Sequence, residues 1–171
     1  LKSKIDTERY LAGLFDPNSG HLHPLNYTLG LADAAKKREV RIFEKSAALE
    51  INESKIIKVI TSSGEVSCRY LVLAGNAYLS GFAGRISNKL MPVGTYIGAS
   101  EPLGEERARS LIQNNMAVAD INLVLDYYRL SADHRMLFGG RVSYSTVPPL
   151  HLAKSMKARM LKVFPQLSDV S

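Results

Sequence analysis

Tyr70-Leu-Val-Leu-Ala-Gly-Asn-Ala-Tyr-Leu-Ser-Gly81 is the stretch on which the fold is read. It opens on a short apolar run, Leu71, Val72, Leu73 and Ala74, with no polar alternation. Such a run predicts a strand covered on both faces, as in the parallel sheet of an α/β fold. Ala74, Gly75, Asn76 and Ala77 then end it on small side chains. A break of this kind at the carboxyl end of a buried strand is where open α/β sheets bind ligands. Gly75, lacking a β-carbon, lets the backbone approach a ligand closely. An ordinary strand-to-turn junction has the same local pattern.

Upstream, Asp16-Pro-Asn-Ser-Gly20 is turn chemistry, and Pro24 suits the first turn of a helix. Leu25, Leu29, Ala32 and Ala35 share one helical face, predicting a helix that ends near Arg38. Strands are expected at 40–44 and 47–51, and a hairpin at 55–61 and 65–70 around Ser62-Ser63-Gly64. The order helix, strand, strand, hairpin, buried strand predicts a parallel sheet with a small antiparallel meander. Downstream, residues 92–100 read as a strand and 105–114 as a short helix. Residues 122–130 and 135–140 read as an antiparallel pair, and 150–164 as an amphipathic helix stopped by Pro165. In the first strand of that pair Leu125, Tyr127 and Arg129 share one face, while Asp126 and Tyr128 share the other.

Length and composition bound the reading. A chain of 171 residues holds one domain or two small ones and can bury roughly 70% of its unfolded surface. The net charge of +6 is scattered. Lys36-Lys-Arg38, followed at once by Glu39, reads as a solvated helix end and not as a nucleic-acid patch. No apolar run nears the roughly 20 residues of a membrane span, no signal peptide is visible, and no nucleic-acid or membrane partner is expected. One cysteine, Cys68, excludes an internal disulfide and fits a reducing, cytoplasmic compartment. His21 and His23 alternate around Leu22, but no third ligand stands at a telling spacing, so no metal is expected. Polar contacts at a helix start, or proximity to a bound ligand, fit the pair better. There are no internal repeats. No triad or acid–base pair is visible, and no catalytic residue is assigned. The chain opens on Leu1 and ends at Ser171, which reads as an internal fragment of a longer protein.

Several strings, in order, resemble one family. Gly13-Leu-Phe-Asp-Pro-Asn-Ser-Gly-His-Leu-His-Pro-Leu-Asn-Tyr27 precedes a helix, then Val40-Arg-Ile-Phe-Glu44, a hairpin and Leu71-Val-Leu-Ala-Gly-Asn-Ala77. This succession resembles the middle of FAD-dependent amine and amino-acid oxidoreductases of the D-amino-acid oxidase type. Met91-Pro-Val-Gly-Thr-Tyr96, Asp126-Tyr-Tyr-Arg129 and Arg135-Met-Leu-Phe-Gly-Gly140 most resemble the branch acting on gamma-glutamylputrescine. The resemblance implies an α/β (α+β) fold: part of a Rossmann-like FAD domain plus part of a mostly antiparallel substrate-domain sheet. Residues 1–88 would be mainly flavin-domain, 89–148 the substrate-domain sheet, and 149–171 a helix leading back toward the flavin domain. FAD is the implied cofactor, with Ala48, Ala74, Gly75 and Asn76 passing the dinucleotide. Tyr127 and Arg129 are the implied substrate-binding residues, and an amine or amino acid is the implied substrate.

The reaction implied is oxidation of a C–N bond by hydride transfer to the flavin, which carries the hard chemistry. Two alternatives stay open: a glycine- or sarcosine-type oxidase, and a non-catalytic module keeping the fold. The family's glycine-rich pyrophosphate loop has no counterpart in these residues, nor has its carboxyl-terminal strand beside the flavin ring. The remaining amino- and carboxyl-terminal segments of the same protein are therefore expected partners. The isolated chain should bind FAD weakly, because backbone N–H groups of that loop normally hold the phosphates. Fluorescence titration checks this; a sub-micromolar constant for the 171-residue chain would overturn it.

Overall fold

The computed structural model describes residues 1–79, 84–144 and 149–171, with the side chains of Arg85 and Arg141 left aside. The chain forms two units, one of residues 23–92 and one of residues 1–22 with 93–171.

In the first unit α1 (Pro24–Lys37) starts where proline chemistry places it, with Pro24 in the first turn. His23 caps it, its Nδ1 accepting the Asn26 N–H at 3.3 Å. Lys36 and Lys37 occupy the last turn, where cations offset the helix dipole. Strands β1 (Ala48–Asn52), β2 (Ile57–Thr61) and β3 (Gly64–Cys68) form an antiparallel meander in that order. The Ser62-Ser63 turn is closed by the Thr61 hydroxyl, which donates to the Gly64 carbonyl at 2.9 Å. A short helix, α2 (Gly84–Ser87), follows. No residue of this unit whose side chain is described is fully buried.

Two expectations are corrected here. Residues 71–74 form no strand and pair with none, and Val72 is 85% exposed. Residues 40–44 likewise join no ladder. Every described ladder is antiparallel, so the expected parallel sheet is absent among the described residues. The physical reason is that a strand exists only where a neighbour accepts its backbone hydrogen bonds, and no described strand pairs with this run. An apolar run states that a segment seeks cover, not what supplies it. Ser80 and Gly81, which close the opening stretch, lie outside the described residues.

The second unit is built on β4 (Gly94–Ala99), α3 (Glu105–Leu111), β5 (Val118–Ala119), β6 (Asp126–Leu130), β7 (Met136–Ser143) and α4 (Leu152–Val163). The strands make one antiparallel sheet in the order β4-β7-β6-β5. Helix α4 covers one face: Met156 Cβ lies 3.9 Å from the position a β-carbon on Gly98 would take, and Met156, Met160 and Val163 are buried. On β6 the period-2 rule holds residue by residue, with Asp126, Tyr128 and Leu130 buried and Tyr127 and Arg129 half-buried. Tyr128 stacks on Phe138 at 5.5 Å between ring centroids and meets Phe164 edge-on at 5.2 Å. The amino-terminal segment closes the core through a bridge between Ile5 and Ile112.

One charge is buried in this core. Asp126 Oδ1 accepts from Arg159 Nε at 2.6 Å, and Arg159 Nη2 donates to the Val124 carbonyl at 2.6 Å. Gly140 makes room for the pair, since a β-carbon there would lie 2.5 Å from Asp126 Oδ1. Asp126→Leu leaves the guanidinium without its counter-charge and is expected to cost about 3 kcal/mol. Urea unfolding checks this; a change under about 1 kcal/mol would mean that solvent already screens the pair.

Candidate functional site

With α4 on one side of the four-stranded sheet, the other side is the face on which β6 presents Tyr127 and Arg129. The ladder registers place Ala119 opposite Tyr127, Tyr127 opposite Gly139, and Gly139 opposite Ile97. Directly opposed residues share a face, so one row crosses all four strands: a methyl group, a phenol, a bare α-carbon and an aliphatic chain that is 64% exposed. The Tyr127 ring lies down over Gly139. A β-carbon at Gly139 would stand 2.1 Å from Tyr127 Cε2 and 2.3 Å from Cζ. Glycine in a strand interior marks such a close approach, and Phe138-Gly-Gly140 carried that signal in the sequence.

Arg129 is held from outside the sheet. Its Nη1 donates to His21 Nδ1 at 3.1 Å, and its Nη2 to the Leu22 carbonyl at 3.3 Å. His21 Nε2 lies 2.7 Å from the Asn115 carbonyl. A carbonyl only accepts, so Nε2 carries the hydrogen and Nδ1 is the bare acceptor for Arg129. Among the described residues Arg129 belongs to no ion pair. Sequence reasoning singled out His21 without assigning it this partner, because the contact joins residues 108 positions apart.

A cleft of about 750 Å³ lies between the amino-terminal segment and residues 114–122, with Tyr10 and His21 in its walls. Near it two buried hydroxyls, Tyr10 Oη and Tyr128 Oη, face each other and are each other's hydrogen-bonding neighbour, with no further partner for either. Burial pushes the Tyr10 hydroxyl above its ordinary pKa, and pushes that of Tyr128 far above it. Tyr128 is therefore a neutral phenol at physiological pH. Among the described residues no group of His, Cys, Asp and Glu is placed to hold a metal ion.

The residues expected along the dinucleotide lie in the other unit. Ala48 opens β1, half-buried, opposite Thr61. Ala74, Asn76 and Ala77 are exposed, outside any ladder, and a 3-10 turn begins at Asn76. This strip of small, uncovered residues fits a place where a long ligand passes along the main chain. The close approach to a ligand expected from the bare α-carbon of Gly75 is corrected here: that side is covered by Leu79, whose Cδ2 stands 2.8 Å from where a β-carbon would be.

The family model described as DAO, FAD dependent oxidoreductase, matches residues 2–171. Gamma-glutamylputrescine oxidoreductase of Escherichia coli (strain K12) is 40% identical over 171 residues, covering 99% of this chain and 40% of that protein. A probable oxidoreductase OrdL of Haemophilus influenzae is 44% identical over 175 residues, again 99% of this chain and 40% of the relative. The chain thus spans 40% of the length of these relatives. The fold is similar to that of L-proline dehydrogenase from P. horikoshii, with a TM-score of 0.64 at 18% identity over 86% of this chain and 40% of that one. It is also similar to glycine oxidase from Geobacillus kaustophilus, with a TM-score of 0.62 at 16% identity over 84% and 38%.

The tyrosines of β6 should behave differently. Tyr128→Phe removes the hydroxyl that faces Tyr10 Oη and leaves that group buried alone, so the fold should lose about 1 kcal/mol. Unchanged stability in urea unfolding would mean that the two hydroxyls do not hold each other.

Proposed function

The chain belongs to the DAO family of FAD-dependent oxidoreductases, and from that premise we propose that the whole protein oxidises the C–N bond of an amine or amino acid of the gamma-glutamylputrescine kind. The observation that carries the reading is the sheet face opposite α4, where Tyr127 stands beside Arg129, which has no carboxylate partner among the described residues. A flat phenol suits an alkyl chain and offers one hydrogen bond, and a guanidinium suits a carboxylate. The 40% identity to a protein of that name supports the substrate class.

In this reading bound FAD supplies the hydride acceptor. Ala48, Ala74, Gly75 and Asn76 lie along the dinucleotide and contribute main chain, not charged side chains. Arg129 pairs with the substrate's carboxylate, and the Tyr127 ring, seated on Gly139, offers its outward side to the aliphatic part. The substrate loses a hydride from carbon and a proton from its neutral amine, and the resulting C=N bond is hydrolysed to a carbonyl and an amine. No acid–base pair of the chain is needed for those proton movements, which suits a site face without one. Residues 1–88 supply mainly the flavin side and 89–148 the substrate side, with the rest of the protein completing both. No described helix is long and apolar enough to cross a membrane. The single cysteine suits a reducing compartment, and the cytoplasm is the location we propose.

Anaerobic mixing of the whole flavoprotein with gamma-glutamylputrescine, glycine or sarcosine tests this. Bleaching of the flavin absorbance by the first and not by the other two is expected; bleaching by glycine or sarcosine alone would replace the substrate class, and a colourless protein would sink the reading. Tyr127→Phe should lower kcat/KM by roughly tenfold, the equivalent of one lost hydrogen bond. Unchanged kinetics would remove the Tyr127 hydroxyl from the site.

A further inference from the structure

We propose that His21 is a positioning residue which, through its bare Nδ1, aims the Arg129 guanidinium over the sheet face opposite α4 for a carboxylate. The inference rests on the reading of Arg129 as the partner of the substrate's anionic group. It adds the residue that makes Arg129 competent.

Every described partner of Arg129 is neutral. His21 Nδ1 accepts from Nη1 at 3.1 Å, the Leu22 carbonyl from Nη2 at 3.3 Å, and the Leu130 carbonyl lies 3.5 Å from Nη1. Neutral acceptors orient a cation without neutralising it. A glutamate in the place of His21 would hold the guanidinium equally well and cancel the charge that the substrate is to find. The Nε–H has no described partner, so a donor remains for an incoming carboxylate.

His21 holds this role because of a second bond. The Asn115 carbonyl, 2.7 Å from Nε2, accepts only and so fixes the hydrogen there. The other tautomer would turn an N–H toward the guanidinium. Residues from three places in the chain thus fix one direction: Asn115 sets the tautomer, His21 presents the acceptor, and β6 supplies the arginine. His21 is next to Leu22, whose carbonyl takes the neighbouring nitrogen, so the amino-terminal segment grips Arg129 at two consecutive residues.

Two substitutions separate the two ring nitrogens. His21→Gln places an amide N–H near the position of Nε2, keeping the bond to Asn115 and removing the acceptor. His21→Asn places an oxygen near Nδ1, keeping the acceptor. The whole flavoprotein is titrated calorimetrically with glutarate, a dicarboxylate without nitrogen that cannot be oxidised at a C–N bond. We expect His21→Gln to weaken glutarate about tenfold and His21→Asn to bind nearly as the parent does. In steady state, His21→Gln should raise KM for the carboxylated amine by a similar factor with kcat little changed, and leave KM for putrescine, which has no carboxylate, where it was. Equal glutarate binding in the parent and His21→Gln would overturn the proposal, as would a parent that binds no glutarate. An equal loss with putrescine would also overturn it, marking His21 as merely structural. If no amine bleaches the flavin while glutarate binding keeps its dependence on His21, the oxidation reading fails and this one stands.

Discussion

A charged pair at the start of β6 decides which way that strand faces. Asp126 and Arg159 are joined at 2.6 Å with most of both side chains out of water. Leaving either charge alone there is costly, so the alternative facing of β6, with Asp126 turned outward, would strand Arg159 beneath the sheet. Asp126 is further tied by its own backbone: its N–H donates to Asp120 Oδ1, and its carbonyl accepts from the Asp120 N–H, both at 2.9 Å. Because side chains alternate strictly along a strand, fixing Asp126 inward fixes Tyr127 and Arg129 outward. The facing of the site thus follows from an interaction in the core.

The two glycines of β7 serve the two faces of the same sheet. Gly140 leaves space for the carboxylate of the inner pair, and Gly139 leaves space for the ring on the outer side. They are neighbours in sequence and opposite each other in orientation, which is why one dipeptide can relieve crowding on both faces at once. Leu137, two residues before Gly139 and opposite Arg129, keeps its side chain, so the outer face rises on that side of the glycine.

Local chemistry made much of this legible. Pro24 and the basic residues at 36 and 37 located α1, and Ser62-Ser63-Gly64 located the hairpin. The alternation Asp126-Tyr-Tyr-Arg129 gave the correct facing of β6, because period 2 is a property of the backbone itself. The run at 71–74 misled, since apolarity reports a need for cover while the partner that provides it is a matter of tertiary structure. The grip of His21 on Arg129 was out of reach for a different reason: nothing near residue 21 encodes a contact with residue 129. The seating of Tyr127 was readable in principle from a glycine pair inside a strand pattern, but only with the register known.

The sheet in the second unit is asymmetric in what its two sides can tolerate. Inner residues such as Tyr128, Met136 and Phe138 are locked to α4 and to one another, and changes there disturb the whole unit. Ile97 and Ala119 on the outer row meet solvent, and exchanges at such positions typically shift stability by only about 0.5 kcal/mol. Evolution, or an engineer, can therefore recontour that surface almost without penalty while the scaffold stays as it is. The exception is Gly139, where the smallest side chain would dislodge the ring above it. A single rigid point amid freely variable neighbours gives a lineage a way to change what it recognises without first having to rebuild the protein that does the recognising.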